Sequence, residues 1–462
     1  MSKFPGPKTW AASKIPMMMM QWGGDVPIIM AGLHDKYGPV VRVGPTEISY
    51  NDPQAWKDIY GHRVGSKQSF QKDPEHYLEG SEIARSIINS EDADHSRHRR
   101  ILANSFSDKA LKEQEPLLRQ WADLLVAKLK ELEAAGKPAD MVSYYNFTTF
   151  DVMADLTFAE PLNMLNGSTY SPWVAAIFGH IKIAARVRAL KHMPGFDKLM
   201  KLCMTDGMKA QAKEHNDFSV ERVDRRLAKE PGRPDLWTEV LKRSGTDKVG
   251  SGMSLHEMHA NSNIFMIAGT ETTATLLSGV TYFLIRDEDR MAKLMKELRE
   301  AFQKPDDITV ETMAKLPYLN ACLEEAMRMY PPVPTGLPRV TPPGGAPICG
   351  EHVPGGTIVS VDQFSTYHSE RNFRRHSEFI PERWLGDAEF ADDARSCFQP
   401  FSTGPRNCIG RNLAYHEARL LLTMVLWHFE LSLDDADDLW NEQKIFILWE
   451  KRPLNVKLKS VR

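Results

Sequence analysis

One ten-residue stretch, Phe401-Ser402-Thr403-Gly404-Pro405-Arg406-Asn407-Cys408-Ile409-Gly410, limits what this chain can be more than any other. It sets a cysteine in a loop punctuated by glycine and proline, just ahead of an apolar run from Leu413 to Leu426 with helical spacing. Glycines at Gly404 and Gly410 let a turning backbone pass close to a flat group that a side chain would hold off. A thiolate held in such a loop can ligate iron, and Arg406 then faces a carboxylate of the bound group. A single cysteine is more often a small buried hydrophobe. What favours ligation here is the company of Phe401, Gly404, Arg406 and Gly410 around Cys408.

The chain has 462 residues, 42% of them hydrophobic and 26% charged, with a formal net charge of -3. That is a globular balance without the bulk positive field that nucleic acid or an anionic membrane selects for. Cys203, Cys322, Cys349, Cys397 and Cys408 are scattered and odd in number, with no Cys-x-x-Cys pair. They fit a reducing compartment better than a disulfide framework or a zinc site. No Gly-x-Gly-x-x-Gly dinucleotide signature is found, so electrons for a redox reaction must come from a separate protein.

Two apolar stretches invite a membrane reading. Met17 to Met30 is interrupted by Gly23, Gly24, Asp25 and Pro27, too broken to span a bilayer. Ile264 to Ile285 is long enough, but it carries Glu271 among Thr270, Thr272, Thr273 and Thr275. An acid at bilayer centre is costly, so this run predicts a helix buried in a globular core. Ser254-Leu255-His256-Glu257 has the form of a capping box at its start. Continued to Arg286, about 33 residues at ~1.5 Å each would cross the molecule over about 50 Å.

Elsewhere, Val40 to Val43 and Glu47 to Tyr50 read as strands around Gly44-Pro45-Thr46, and Ile445 to Trp449 as a further β region. Gly65 to Asp92 reads as a loop with one short helix, and His95 opens a helical stretch. Leu111 to Leu162 is helical with few breakers. Pro172 to Leu190 and Phe196 to Leu227 are two helices parted by His192-Met193-Pro194-Gly195. Tyr318 to Tyr330 is a helix ended by Pro331-Pro332-Val333-Pro334, and it sets Glu325 and Arg328 on one face. By itself such a pair is an ordinary surface ion pair.

Four separated motifs together resemble those of the cytochrome P-450 monooxygenases, in family order and over roughly Arg42 to the C-terminus. Phe401 to Gly410 matches the haem loop Phe-x-x-Gly-x-Arg-x-Cys-x-Gly, and Ala268-Gly269-Thr270-Glu271-Thr272-Thr273 matches the oxygen-activation motif. Glu325-x-x-Arg328 and Pro381-Glu382-Arg383-Trp384 match the Glu-x-x-Arg and Pro-Glu-Arg-Phe/Trp pair. The resemblance implies a cytochrome P-450 fold, mainly α with a smaller β part, as one domain over residues 1–462. It implies haem b with Cys408 as the axial iron ligand and Phe401, Gly410 and Ala268 among the haem-binding residues. Arg99, Arg339, Arg406 and His368 take the places of haem-propionate ligands, and His95 stands where the family's Trp-x-x-x-Arg has tryptophan. Glu271 and Thr272 take the proton-delivery role. Glu325, Arg328 and Arg383 interlock beneath the haem loop, and Val333, Leu337, Phe446 and Ile447 border the substrate pocket.

The same resemblance implies a monooxygenase that hydroxylates or otherwise oxidises a small organic substrate, with dioxygen as co-substrate. Electrons come from NADPH through NADPH-cytochrome P-450 reductase, and no nucleic acid is involved. Phe401 to Tyr415 and Pro381 to Leu385 are similar to filamentous-fungal microsomal members, many of which tailor natural products. Phe4-Pro5-Gly6-Pro7-Lys8 is similar to the hinge that follows their N-terminal membrane helix. The native form is therefore expected on the cytosolic face of the endoplasmic reticulum membrane, with this chain, lacking that anchor, soluble. Two alternatives stay open: oxidative coupling or ring formation without oxygen insertion, and a haem-binding protein without turnover. Intact Glu271 and Thr272 argue against the second.

Overall fold

Apolar residues at helical spacing dominate the chain, and helices dominate the computed structural model, which describes residues 1–63, 69–77, 84–191, 206–229, 232–233, 235–244, 252–434 and 439–461. The elements used below are α1 (Ile15–Gly23), α2 (Val26–Tyr37), α3 (Asp92–Leu102), α4 (Asp108–Ala134), α5 (Met141–Phe158) and α6 (Pro172–Lys191). They continue with α7 (Leu255–Ala268), α8 (Glu271–Ile285), α9 (Pro317–Met329) and α10 (Arg411–His428). The main sheet is built from β1 (Val40–Gly44), β2 (Glu47–Tyr50), β3 (Gln71–Lys72), β4 (Arg339–Val340) and β5 (Ile358–Val361).

The centre of the core is α8, buried nearly all round, as a helix apolar on every face must be. It packs against α5, α9 and α10, and α10 packs in turn on α4. Helix α4 starts where the Ser107 side chain accepts the Ala110 N–H, and it turns Leu111, Leu118, Leu125 and Leu129 into this core. The sheet runs in the order β1-β2-β5-β4-β3, parallel only between β2 and β5. Its register puts Lys72 of β3 directly opposite Arg339 of β4.

Three sequence expectations are corrected. The stretch from Leu111 to Leu162 is not one helical run: Gly136, at φ 65°, and Pro138 end α4, and the strand Ala139–Asp140 intervenes before α5. Within Gly65 to Asp92 the described residues form turns and the strand β3, with no helix before α3. The long central helix keeps its capping box, with Ser254 and Glu257 each accepting the other's backbone N–H. It is, however, divided into α7 and α8 at Gly269 and Thr270. Threonine hydroxyls compete there for helix carbonyls: Thr270 donates to Met266 O at 2.5 Å and Thr272 to Ala268 O at 2.7 Å. A Cβ at 269 would lie 2.7 Å from Met153 Sδ and 3.0 Å from Phe265 O, so glycine lets the Met153 side chain pack against this break. The joint at His192-Met193-Pro194-Gly195 lies outside the described residues, and the helix predicted from Phe196 is described from Asp206 to Leu227.

Candidate active site

The cysteine loop is closed by the Cys408 N–H donating to Phe401 O at 2.9 Å. Gly404 has φ 74°, and a Cβ there would sit 1.9 Å from Tyr60 O, so only glycine lets the loop lie against that backbone. Arg99 of α3 holds the loop from the side, donating to Asn407 O at 2.6 Å and to Asn407 Oδ1 at 2.7 Å. Phe401 packs on Tyr415 with ring centroids 5.1 Å apart. Cys408 itself stands just before Gly410, the N-terminal cap of α10, where a helix favours negative charge.

Among the described cysteines Cys408 alone is exposed; Cys322 and Cys397 are buried and Cys349 half-buried, while Cys203 lies outside the described residues. Its open side notwithstanding, protein surrounds the thiol, and the resulting desolvation pushes it above its ordinary pKa. The Gly410 N–H, Arg99 and Arg411 act the other way and favour the thiolate.

Beside the loop, cations gather without matching anions. Lys72 and Arg339 face each other across two strands, an arrangement of like charges that is destabilising in itself. Burial, then Arg339 and Arg406, lower Lys72 to about 6. Burial, then Arg406, Lys72 and Arg99, lower His95 to about 3. Arg339 is buried and its Nε has no hydrogen-bond partner. Arg406 donates to Asp92 Oδ1 at 2.7 Å and to Ser90 O at 2.8 Å, and Asp92 is held down at about 2 despite its desolvation. One carboxylate does not balance the guanidinium groups of Arg99, Arg339 and Arg406, beside which burial and the charge of Arg339 and Arg406 already drive Lys72 toward its neutral form, and a buried, unpaired cation is costly. The donor set therefore fits haem: a thiol beside a glycine-shaped loop for the iron, and a cation cradle for the two propionates.

His368 stands apart from the other residues expected at the propionates. Its Nδ1 lies 3.0 Å from the Phe364 carbonyl, its ring stacks on Phe364 at 4.0 Å, and its charged neighbours are Arg328 and His376. It is not part of the group formed by His95, Arg99, Arg339 and Arg406.

At the break between α7 and α8, Ala268 is exposed and Thr272 half-exposed, one turn apart on the same face. Glu271 points elsewhere, into the protein. Lys451 Nζ donates to Glu271 Oε1 at 2.5 Å and to Thr275 Oγ1 at 2.9 Å, while Glu271 Oε2 has no partner. Burial raises this carboxyl and Lys451 opposes the rise. A second carboxyl, Glu417 of α10, is buried against Thr273, and desolvation pushes it well above the ordinary range. Lys72, Lys451 and Glu417 were not found from sequence; no local pattern marks them.

Phe446 and Ile447 line a cavity between α1, α2, α6 and the main sheet, and Thr335, Gly336 and Pro338 line it too. Ile447 has φ 72°, an outlier for a β-branched residue. Val333 and Leu337 do not line this cavity; Leu337 packs with the sheet.

Beneath the loop, the Glu325 carboxylate accepts from Arg328 Nε at 2.9 Å and Nη2 at 2.8 Å, Arg383 Nε at 3.0 Å, the Ile380 N–H at 2.8 Å and Trp384 Nε1 at 2.9 Å. Desolvation alone would raise Glu325, but Arg328 and Arg383 hold it below the usual range. Arg383 also pairs with Asp393 at 2.5 Å, a partner with no sequence signal. Glu325→Ala removes the anion from two fully buried guanidinium groups and should cost about 3–5 kcal/mol in chemical denaturation. A variant as stable as the parent would show that the network does not hold the fold.

The sequence model of the family described as Cytochrome P450 matches residues 6–458. A cytochrome P450 monooxygenase of Hormonema carpetanum is 59% identical over 462 residues, covering 99% of this chain and 91% of its own length. A cytochrome P450 monooxygenase of Stereocaulon alpinum is 42% identical, covering 99% of this chain and 90% of its own. An averantin hydroxylase of Dothistroma septosporum is 41% identical over 460 residues, 99% of this chain and 86% of its own.

Proposed function

The chain belongs to the cytochrome P450 family, and from that premise we propose that the Cys408 thiolate would hold the haem iron and that residues 1–462 work as one domain oxidising a fungal natural product. Cys408 carries this reading: it is the exposed thiol, at a helix N-terminus, beside a cation cradle short of anions. His95, Arg99, Arg339 and Arg406 would hold the propionates, joined by Lys72, and Phe401, Gly410 and Ala268 would border the ring. The enzyme is a haem-thiolate monooxygenase that draws electrons from NADPH through a separate reductase.

When bound, the haem iron supplies the activation of dioxygen and the oxidation of an unreactive carbon. The protein supplies placement and protons. Thr272 Oγ1, turning away from the Ala268 carbonyl, holds a water on the open face that the small Ala268 side chain leaves clear. Glu271, with one oxygen free and its charge opposed by burial, takes up a proton and releases it toward Thr272 as Lys451 lets go. Phe446 and Ile447 border the substrate.

Membrane attachment at the cytosolic face of the endoplasmic reticulum is part of the proposal. Among the described residues no helix is long and apolar enough to cross a membrane. The support is a face carrying exposed Ile15, Met19 and Trp22 on α1, Ile28 on α2 and Ile183 on α6, with α1 packed on α6.

Cys408→Ala should abolish the thiolate-type absorption of the ferrous carbon monoxide form; a band that survives would move the ligand to another cysteine. Thr272→Ala should keep that band, and with reductase and NADPH should divert electrons to hydrogen peroxide, lowering oxidised product about 10²-fold relative to peroxide. An unchanged ratio would remove Thr272 from proton delivery.

A further inference from the structure

The cavity that Phe446 and Ile447 line is mostly apolar, with Met17, Met30 and Ala185 among its walls, yet one guanidinium enters it from α6. Arg188 is desolvated, which lowers its pKa below the ordinary value. Its Nε has no hydrogen-bond partner, and among the described residues its side chain makes one long hydrogen bond, 3.4 Å to His76 O, and no ion pair with a carboxylate. Asp73 and Tyr77 are its neighbours of opposite sense, and Asp73 caps the Glu75 N–H instead.

The other ionisable groups of the lining have their needs met. Glu47 pairs with Lys14 at 3.1 Å. Asp362 accepts the Ser365 and Gly336 N–H groups and is pushed up to about 7 by burial. His76 is driven well below its ordinary value by burial, Arg188 and Lys72, and stays neutral. That leaves Arg188 as the cation of this lining, held in no ion pair among the described residues, with Asp73 acting on it only at longer range. Lys72 and Arg188 flank His76 electrostatically, so this wall adjoins the cation cradle of the candidate haem site.

We propose that Arg188 is the anion-recognition residue of the substrate cavity, and that the substrate is an apolar molecule bearing a carboxylate. A neutral substrate would complete the desolvation of the guanidinium and return nothing for it. A carboxylate matches the free edge of the guanidinium with paired, charge-assisted hydrogen bonds. The presence of one cation rather than a cluster favours a monoanion. The inference rests on reading this cavity as the substrate's.

The test uses the haem-loaded protein and two probes with the same tail, decanoate and decan-1-ol, titrated by isothermal calorimetry at neutral pH. Decanoate should bind roughly tenfold to a hundredfold more tightly than the alcohol, the gain expected of a hydrogen bond to a charged group. Arg188→Gln should erase that preference while leaving decan-1-ol affinity within about twofold, and Arg188→Lys, which returns the charge, should recover part of it. Equal affinity for the two probes, no decanoate binding at millimolar concentration, or a preference that survives in Arg188→Gln overturns the proposal. Calorimetry does not depend on turnover or on which cysteine ligates the iron. A failure here is therefore distinct from a failure of the Cys408 assignment, which the carbon monoxide spectrum reads.

Discussion

The rest of the structure depends on one buried carboxylate. Glu325 sits at the convergence of α9, the Pro381–Leu385 turn and the chain at Ile380, accepting from Arg328 of its own helix, from Arg383 and Trp384 of the turn and from the Ile380 N–H. Arg328 extends the frame by donating to the carbonyls of Tyr367, His376 and Glu378. From Trp384 the contacts pass to Phe398 at 4.6 Å, while the Tyr367 hydroxyl accepts the Gln399 N–H at 3.0 Å. Phe398 and Gln399 lead directly into Phe401 and the cysteine loop. Burying three charges is costly on its own. Here the geometry satisfies them, and a fixed floor for Cys408 is what the molecule gains.

Above that floor, function is a matter of imbalances left open. Cations crowd beside the loop with one carboxylate among them, and strand register forces Lys72 and Arg339 together where a folding optimum would separate them. The central helix gives up continuity at Gly269 and Thr270 in exchange for a small, partly polar face at Ala268 and Thr272. Carboxyls at Glu271 and, from α10, Glu417 are buried at the start of α8 just after that break, both with raised proton affinity. A protein that bound nothing would have every reason to remove these features. They are consistent with a group that carries two negative charges and with chemistry that needs protons delivered out of bulk water's reach.

Much of this was legible in the sequence, for a physical reason. The capping box at Ser254 and the Glu325–Arg328 pair act through short-range geometry, so their spacing reports the local contact, while the tie from Glu325 to Arg383 came from the family resemblance. What stayed hidden is long-range. Lys451 reaches Glu271 across 180 positions, and Lys72 meets Arg339 only through a two-residue strand that no periodicity reveals. The helix break was missed because an apolar run signals burial and not continuity; the threonine hydroxyls decide the latter. His368 was assigned by its place in a motif, but its side chain turns back to the Phe364 carbonyl of its own short helix. Position along a chain fixes an element more firmly than it fixes where a side chain points.

The account turns on which atom holds the iron. X-ray absorption at the iron edge of the ferric protein reads the first coordination shell directly, without turnover or a known substrate. One sulfur scatterer at thiolate distance, replaced by a lighter atom in Cys408→Ser, is the predicted result. A first shell of nitrogen and oxygen alone, or a sulfur that remains after the substitution, would contradict it.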